Sequence, residues 1–540
     1  MRCKSLFSYI TVPIFTAIDL FVGIYHPAFS MSYLRMSLTR GLLVPIWAIL
    51  ALILAIQAHA GGVQGTAHKH SGTSTEEAHA SKAALNAVRH WNAIALDAVV
   101  VDHSYVEEEE DLVFGDQFGP ARTSRALAIV HIAIFDAVNA IMGGYQGYTD
   151  LPPAPRHASA GGISLEAAVA QAAHDTLIAL YPRQLERLDA LLATDIEGIK
   201  DQDGSAKAAG IELGQRAATA ILEERENDGS QHDEPLYGED YKPGDQPGQW
   251  RQDPISQFPY CIGMYWHQVR PFVLASADQF RSLPPPALDS WEYAQAFNEV
   301  KSLGGDGVVT PTQRTEDQTL AGIFWAYDKT PGLGSPPRQY NQIALTIAET
   351  MGSDGIELAR LLALVNVGFA DAAIAAWDCK WFYEFWRPVN GIREADPGTG
   401  PSGAGDGNPE TSGDPTFTPL GAPASNLPEE PDFTPPFPSY PSGHACFGGT
   451  LFQMLRHFYG TDDIAFTFVS DELNGVTTDN DGSVRPYAPR HYSSLSEAEE
   501  ENGRSRIYLG VHWGFDSTEG IVQGRQVADY VFECTLKPSE

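Results

Sequence analysis

Residues 355–386, "GIELARLLALVNVGFADAAIAAWDCKWFYEFW", decide the reading of the fold. The run is rich in Ala and Leu, which lose little side-chain freedom in a helix, and it lacks the period-two alternation of a half-buried strand. A long helix is expected. Apolar residues three and four apart recur upstream in "ALNAVRHWNAIALDAVVVD" (84–102) and "ARTSRALAIVHIAIFDAVNAI" (121–141), and again in "SLEAAVAQAAHDTLIALY" (164–181) and "AAGIELGQRAATAILEE" (208–224). Alternating β-branched runs are almost absent, so the chain reads as all-α, a large bundle of long helices. Two stretches rich in Gly, Pro and Asp, 228–260 and 396–436, read as long connecting loops, with 397–415 taken as a solvated insertion.

The 540 residues carry 69 acidic against 35 basic side chains, a formal net charge of -34. Such a field disfavours nucleic acid and anionic membrane surfaces as partners. The first 60 residues hold two apolar segments; the second follows Arg35 and Arg40 and ends in Ala58, His59 and Ala60, the small-residue pattern of a cleaved secretory signal. Export to a secreted or periplasmic location, without stable membrane association after cleavage, is the expectation. The competing reading is a membrane anchor near Leu6–Phe29, and Met31 or Met36 is a candidate true start. The chain then divides into 1–60 (targeting), 61–84 (flexible mature N-terminus), 85–260 (N-terminal helical region) and 261–540 (C-terminal helical region). Five cysteines show no metal-binding spacing. Cys379 and Cys446 read as small buried hydrophobes, although one or two bridges stay open.

Three polar clusters lie in the last third of the chain. In "KWFYEFWRP" (380–388), Lys380 and Arg387 are seven residues apart, which on a continuous helix places both on nearly one face. In "PPFPSYPSGHACFGGTLFQML" (435–455), Ser442 is placed to cap a helix whose first turn offers the Gly443 amide and the His444 ring. Helix N-termini attract anions, because unsatisfied N–H groups and the positive end of the dipole point the same way. In "RSRIYLGVHWGFDSTEG" (504–520), His512 and Asp516 have the spacing for contact on one helix face, and Gly510 gives the backbone a bend that lets Arg506 reach the same centre. Two Arg, one Lys, a hydroxyl, an amide and two His suit a tetrahedral oxyanion of two to three charges, phosphate or vanadate.

In order, these motifs resemble the signature set of the vanadium-dependent haloperoxidase and type 2 phosphatidic acid phosphatase superfamily. The flanking stretches "WAYDKTPGLGSPPRQYNQIALTIA" (325–348), "PPFPSYPSGHACFGG" and "GPARTSRALAIVHIAIFDA" are similar to haloperoxidases of the chloroperoxidase type, over about residues 85–535. Membrane phosphatases of the superfamily carry several transmembrane helices, and none is read near the motifs here. The resemblance implies vanadate as cofactor, with His512 as its axial metal ligand. It also implies that Lys380, Arg387, Ser442, Gly443 and Arg506 bind the oxyanion, and that His444 does acid–base work, with Lys380 polarising peroxide. Asp328 is implied to pair with Arg506, and Asp516 to support His512. Trp377 and Phe437 match aromatic positions of the chloroperoxidase type and favour chloride competence, so the implied activity is oxidation of chloride or bromide to hypohalous acid, with chloride the first reading. Hydrogen peroxide, a halide and small organic acceptors are the implied partners, with homo-oligomers open. A phosphatase using His512 as nucleophile, or a secreted helical binding protein without catalysis, are the alternatives.

Overall fold

The computed structural model describes residues 75–104, 115–154, 162–201 and 204–539; the targeting region and the start of the expected flexible N-terminus lie outside them. Helix α1 spans Thr75–Asp102, so the helical region begins ahead of residue 85, where the sequence reading starts it. Then follow α2 (Pro120–Met142), α3 (Leu165–Leu180), α4 (Leu185–Gly198), α5 (Ser205–Glu224), α6 (Trp291–Leu303), α7 (Glu316–Phe324) and α8 (Pro336–Met351). The C-terminal part adds α9 (Gly355–Tyr383), α10 (Pro388–Arg393), α11 (Gly443–Tyr459), α12 (Leu495–Tyr508) and α13 (Gly514–Cys534). Strands Phe466–Phe468 (β1) and Arg490–Tyr492 (β2) pair antiparallel and form the one sheet among the described residues.

Helix α9 is the axis of the molecule and touches α1, α2, α11 and α13. Asp354 caps it, accepting from the Glu357 amide while the Glu357 side chain accepts from the Asp354 amide. By length and composition α9 and α2 could each cross a membrane, yet the apolar window of α9 is wholly buried in the protein. A helix that is apolar on every side belongs in a core. Asp371, at mid-helix, is buried and accepts from the amides of Phe272, Val273 and Leu274 at 2.6, 2.8 and 2.9 Å, which pins the connection between α5 and α6 to the core.

The helix stops before Arg387. Glu384 takes a left-handed conformation (φ 47°) and the chain turns out, leaving Arg387 extended at the start of α10. Lys380 and Arg387 are therefore not two turns apart on one helix face, as their spacing had suggested. They approach one centre from opposite sides of a bend.

Helices α11 and α13 cross in close contact because glycines line the crossing. A Cβ on Gly524 would stand 2.0 Å from the Cys446 carbonyl oxygen, one on Gly520 2.6 Å from that of Ser442, and one on Gly449 2.5 Å from that of Ile521. Close approach lets the Ser442 amide donate to the Asp516 carbonyl at 2.9 Å, which fixes the start of α11 against the start of α13.

Both long stretches lack helices, as expected. The 397–415 segment is, however, not merely solvated: Asp406 and Asn408 are buried, and Asn408 Nδ2 donates to the Leu288 and Ser290 carbonyls at 2.8 and 2.9 Å, docking the loop on the start of α6. Cys261, Cys379 and Cys446 are buried free thiols, so none of the three forms a bridge.

Candidate active site

Every polar residue singled out in the three motifs is buried, and they converge where α9, α11, α12 and the start of α13 meet. Ser442 is the N-cap of α11, its Oγ accepting from the Ala445 amide at 3.4 Å. The amides of Gly443 and His444 open the helix, and first-turn amides have no partner within it.

His512 lies just ahead of α13 rather than on it. Its contact with Asp516, in the first turn of α13, closes from outside the helix: Nδ1 donates to Asp516 Oδ2 at 2.8 Å. The Trp513 amide donates to the same oxygen at 3.0 Å, and the Ser439 hydroxyl also donates to it. With Nδ1 protonated and fixed, the only free lone pair of the ring is on Nε2. Burial, reinforced by Arg387, pushes His512 well below the usual histidine range, so the ring is neutral. Burial likewise raises the Asp516 carboxyl to about 6.

Arg387 Nη1 donates to His512 Nε2 at 2.8 Å and to the Val511 carbonyl at 2.9 Å, while its Nε donates to the Phe437 carbonyl at 2.9 Å. Arg506, in the last turn of α12, donates from Nη2 to Asp328 Oδ2 at 2.8 Å. Gly510 follows at φ +73°, the positive φ of the bend read from the sequence. Three buried guanidinium nitrogens, Arg387 Nη2 and Arg506 Nε and Nη1, have no protein acceptor. An unpaired charged donor in the interior is costly, so this set fits a buried multi-oxygen anion. An oxyanion bonded to Nε2 requires the Arg387 head to turn from the ring nitrogen to the oxygens. The donor set therefore suits a tetrahedral oxyanion such as vanadate or phosphate, which the guanidiniums, the Ser442 hydroxyl and the Gly443 amide could surround beside His512 Nε2.

Lys380 is placed differently from the expectation. Its Nζ donates to three carbonyls, those of Pro438, Ser439 and Pro441, at 3.0, 2.9 and 2.5 Å. Three acceptors demand three protons, the ammonium form, although burial and then Arg387 pull its pKa well below the ordinary value. In this arrangement Lys380 clamps the loop that leads into Ser442, and a hydrogen bond to an oxyanion needs one carbonyl to be released.

His444 donates from Nε2 to the Ala326 carbonyl at 2.8 Å, which leaves Nδ1 as its basic atom. Desolvation, then Arg506, lowers its pKa to about 4, so the ring is neutral. Tyr340 Oη and Asn502 Nδ2 hold the His444 carbonyl at 3.1 and 2.9 Å. Trp377 and Phe437 pack ring to ring at 5.1 Å, and Phe437 lies under the heads of Lys380 and Arg387 at 5.2 and 5.0 Å.

A small inner cavity is lined by Trp377, Phe437, Gly443, His444, Arg506 and His512. Two residues near it were not read from the sequence. Ser439 sits in the Pro-rich loop beside the motif, and only its neighbour Ser442 had a capping signal. Lys329, next to Asp328, also lines the cavity; a lone Lys in a loop carries no signal of burial.

A family model described as the VCPO second helical-bundle domain matches residues 360–539. A vanadium chloroperoxidase of Curvularia inaequalis is 32% identical over 508 residues, covering 80% of this chain and 79% of the relative. Among solved structures, a bacterial vanadium-dependent iodoperoxidase superposes with a TM-score of 0.63 at 22% identity, covering 87% of this chain and 100% of the other. A holo-type bacterial vanadium-dependent chloroperoxidase gives 0.57 at 17% identity, covering 77% and 92%. The last two are likenesses of fold.

Proposed function

The chain belongs to the vanadium haloperoxidase family and is a vanadate-dependent peroxidase of halides, and on that premise we propose how its residues divide the work and which halide it takes. The observation that supports the assignment is the pairing of three acceptor-less buried guanidinium nitrogens with a His512 Nε2 lone pair fixed by Asp516. Vanadate, when bound, supplies a Lewis-acidic centre that polarises the O–O bond of hydrogen peroxide without changing oxidation state. Arg387 and Arg506, with the Ser442 hydroxyl and Gly443 amide, would hold the oxygens, and His512 Nε2 would hold the metal. Asp328 orients the Arg506 fork. His444, neutral with Nδ1 unprotonated, takes a proton from incoming peroxide at that atom and returns it to the departing water. Lys380 acts first by holding the Pro438–Pro441 carbonyls, and its charge favours negative charge developing in the cavity.

For the halide, Trp377 and Phe437 give the cavity an apolar wall, and the curated relative, 32% identical, is named a chloroperoxidase. Chloride oxidation is the reading they support, with bromide as the easier halide. Orthovanadate-loaded protein with peroxide is expected to halogenate monochlorodimedone in chloride as well as bromide. Turnover in bromide alone overturns the chloride reading. Phosphate-ester hydrolysis without vanadate, and no halogenation with it, would favour the phosphatase alternative.

Export of the mature chain is proposed from the apolar run that follows Arg35 and Arg40 and ends at Ala58–Ala60. N-terminal sequencing of the secreted protein is expected to begin at Gly61; a chain retained with residues 1–60 contradicts it.

A further inference from the structure

A second, larger pocket of about 270 Å³ opens outside the inner cavity, and Asp328 and Lys329 line both. Its wall is largely apolar, formed by Phe118, Phe258, Leu427, Phe433 and Pro436. Lys329 Nζ stands 5.6 to 5.9 Å from the ring centres of Phe118, Phe258, Phe433 and Phe437. Among the described residues its Nζ makes no hydrogen bond and no ion pair, although Asp328 is the next residue. Asp328 is committed to Arg506 at 2.8 Å, and the remaining carboxylate of the pocket, Glu430, is exposed.

Asp328 and Glu234 act on the ammonium at a distance, but Glu234 is committed to Arg122 and the Gly263 amide, and aromatic faces attract a cation without accepting its hydrogen bonds, so no acceptor meets Nζ. A halide ion would satisfy the charge but needs no apolar space of this size. Pockets that take organic ligands are mostly apolar with a few placed polar groups. Shared walls at Asp328 and Lys329 set the pocket beside the inner cavity, next to where hypohalous acid would form.

We propose that this pocket binds the organic acceptor, and that the acceptor is a small aromatic or cyclic molecule bearing one anionic oxygen group, an enolate, phenolate or carboxylate, paired with Lys329. The proposal rests on the haloperoxidase reading and adds the class of its second substrate. An acceptor held this way presents the carbon near its anionic group to the inner cavity. That carbon gives up its proton and takes the halogen from hypohalous acid, with water as the other product. Halogenation is then position-selective rather than a reaction of freely diffusing oxidant. Desolvation lowers the Lys329 pKa to about 8, so the amine is largely charged at neutral pH and an anion beside it would keep it so.

The test is a fluorescence titration of the full vanadate-loaded chain, without peroxide, using 2-naphthoate and its neutral isostere 2-naphthamide. Wild type is expected to bind the carboxylate at least tenfold more tightly than the amide. Lys329→Met is expected to lose that preference while keeping amide binding, Lys329→Arg to retain it, and Phe433→Ala to weaken both ligands. Equal wild-type affinity for the two ligands overturns the proposal without recourse to any variant, as does an unchanged preference in Lys329→Met. Triiodide formation from iodide and peroxide, measured on the same wild-type preparation, needs no organic acceptor. Its absence would count against the haloperoxidase reading, whereas its presence with no naphthoate preference sinks only the acceptor site.

Discussion

Arg387 Nη1 stands 2.8 Å from His512 Nε2, so the guanidinium occupies the one lone pair that the Asp516 contact leaves on the ring. The same side chain keeps a second buried nitrogen, Nη2, without an acceptor. It is poised to exchange a neutral ring nitrogen for an anionic oxygen. A hydrogen bond to a charged partner contributes about 1.5–3 kcal/mol. Arg387→Ala is therefore expected to weaken orthovanadate binding by about 10- to 100-fold, measured by equilibrium dialysis. Unchanged affinity would remove Arg387 from the oxyanion cage.

Asp516 keeps His512 in the tautomer that frees Nε2, and outer partners of metal-binding histidines commonly matter about 10- to 100-fold in affinity. Asp516→Asn keeps the shape but can offer an amide N–H to Nδ1, which then favours the Nε2–H tautomer. Vanadate affinity is expected to fall by that range while far-ultraviolet circular dichroism is preserved. A folded variant with wild-type affinity contradicts the tautomer argument.

The helices and the capping role of Ser442 were legible in sequence because they depend on local periodicity and one side chain's reach. The pairing of Asp328 with Arg506 was legible only through family resemblance, since 178 residues separate them. The break after Tyr383 was not legible: Glu384 adopts a left-handed turn that sequence signals usually assign to Gly or Asn. The docking of 397–415 was hidden for a related reason. Asp406 and Asn408 look like solvated polar residues, but their side chains satisfy backbone groups of the loop and of the α6 start. The carbonyl clamp on Lys380 could not be read either, because it depends on how the loop before α11 folds back over α9.

The glycine-lined crossing of α11 and α13 makes a stability prediction. A methyl at residue 524 would stand 2.0 Å from the Cys446 oxygen and 2.8 Å from the Thr450 nitrogen, both backbone atoms that cannot swing away. Overpacking of this kind costs about 1–3 kcal/mol or more. Gly524→Ala is expected to lower the urea midpoint accordingly and to weaken vanadate binding by moving Ser442. An unchanged midpoint would mean that the helices separate freely.

A pH prediction follows from His131, buried on α2 away from the oxyanion residues. Its Nδ1 donates to the Leu127 carbonyl at 2.8 Å, so Nε2 must accept, which requires the Asn92 amide to turn its unpartnered Nδ2 toward the ring. Desolvation lowers its pKa from 6.5 to about 4. Between those values the unfolded chain binds the proton more strongly, so this stability is complete above pH 6.5 and is lost as pH falls towards 4. At 1.36 kcal/mol per unit the loss is about 3 kcal/mol. The stability gap between wild type and His131→Gln is expected to shrink by about that much from pH 7 to pH 4 in denaturant titrations. A gap independent of pH contradicts it.

The central claim is that His512 Nε2 binds vanadium within a cage that is otherwise built to hold an oxyanion. The most direct measurement is equilibrium binding of orthovanadate to wild type, to His512→Ala and to His444→Ala, followed by peroxide-dependent bromide oxidation. His512→Ala is expected to lose vanadate binding by at least about 100-fold, consistent with loss of a direct ligand together with its Asp516 support. His444→Ala is expected to keep vanadate and lose most turnover. Wild-type vanadate affinity in His512→Ala would contradict the account.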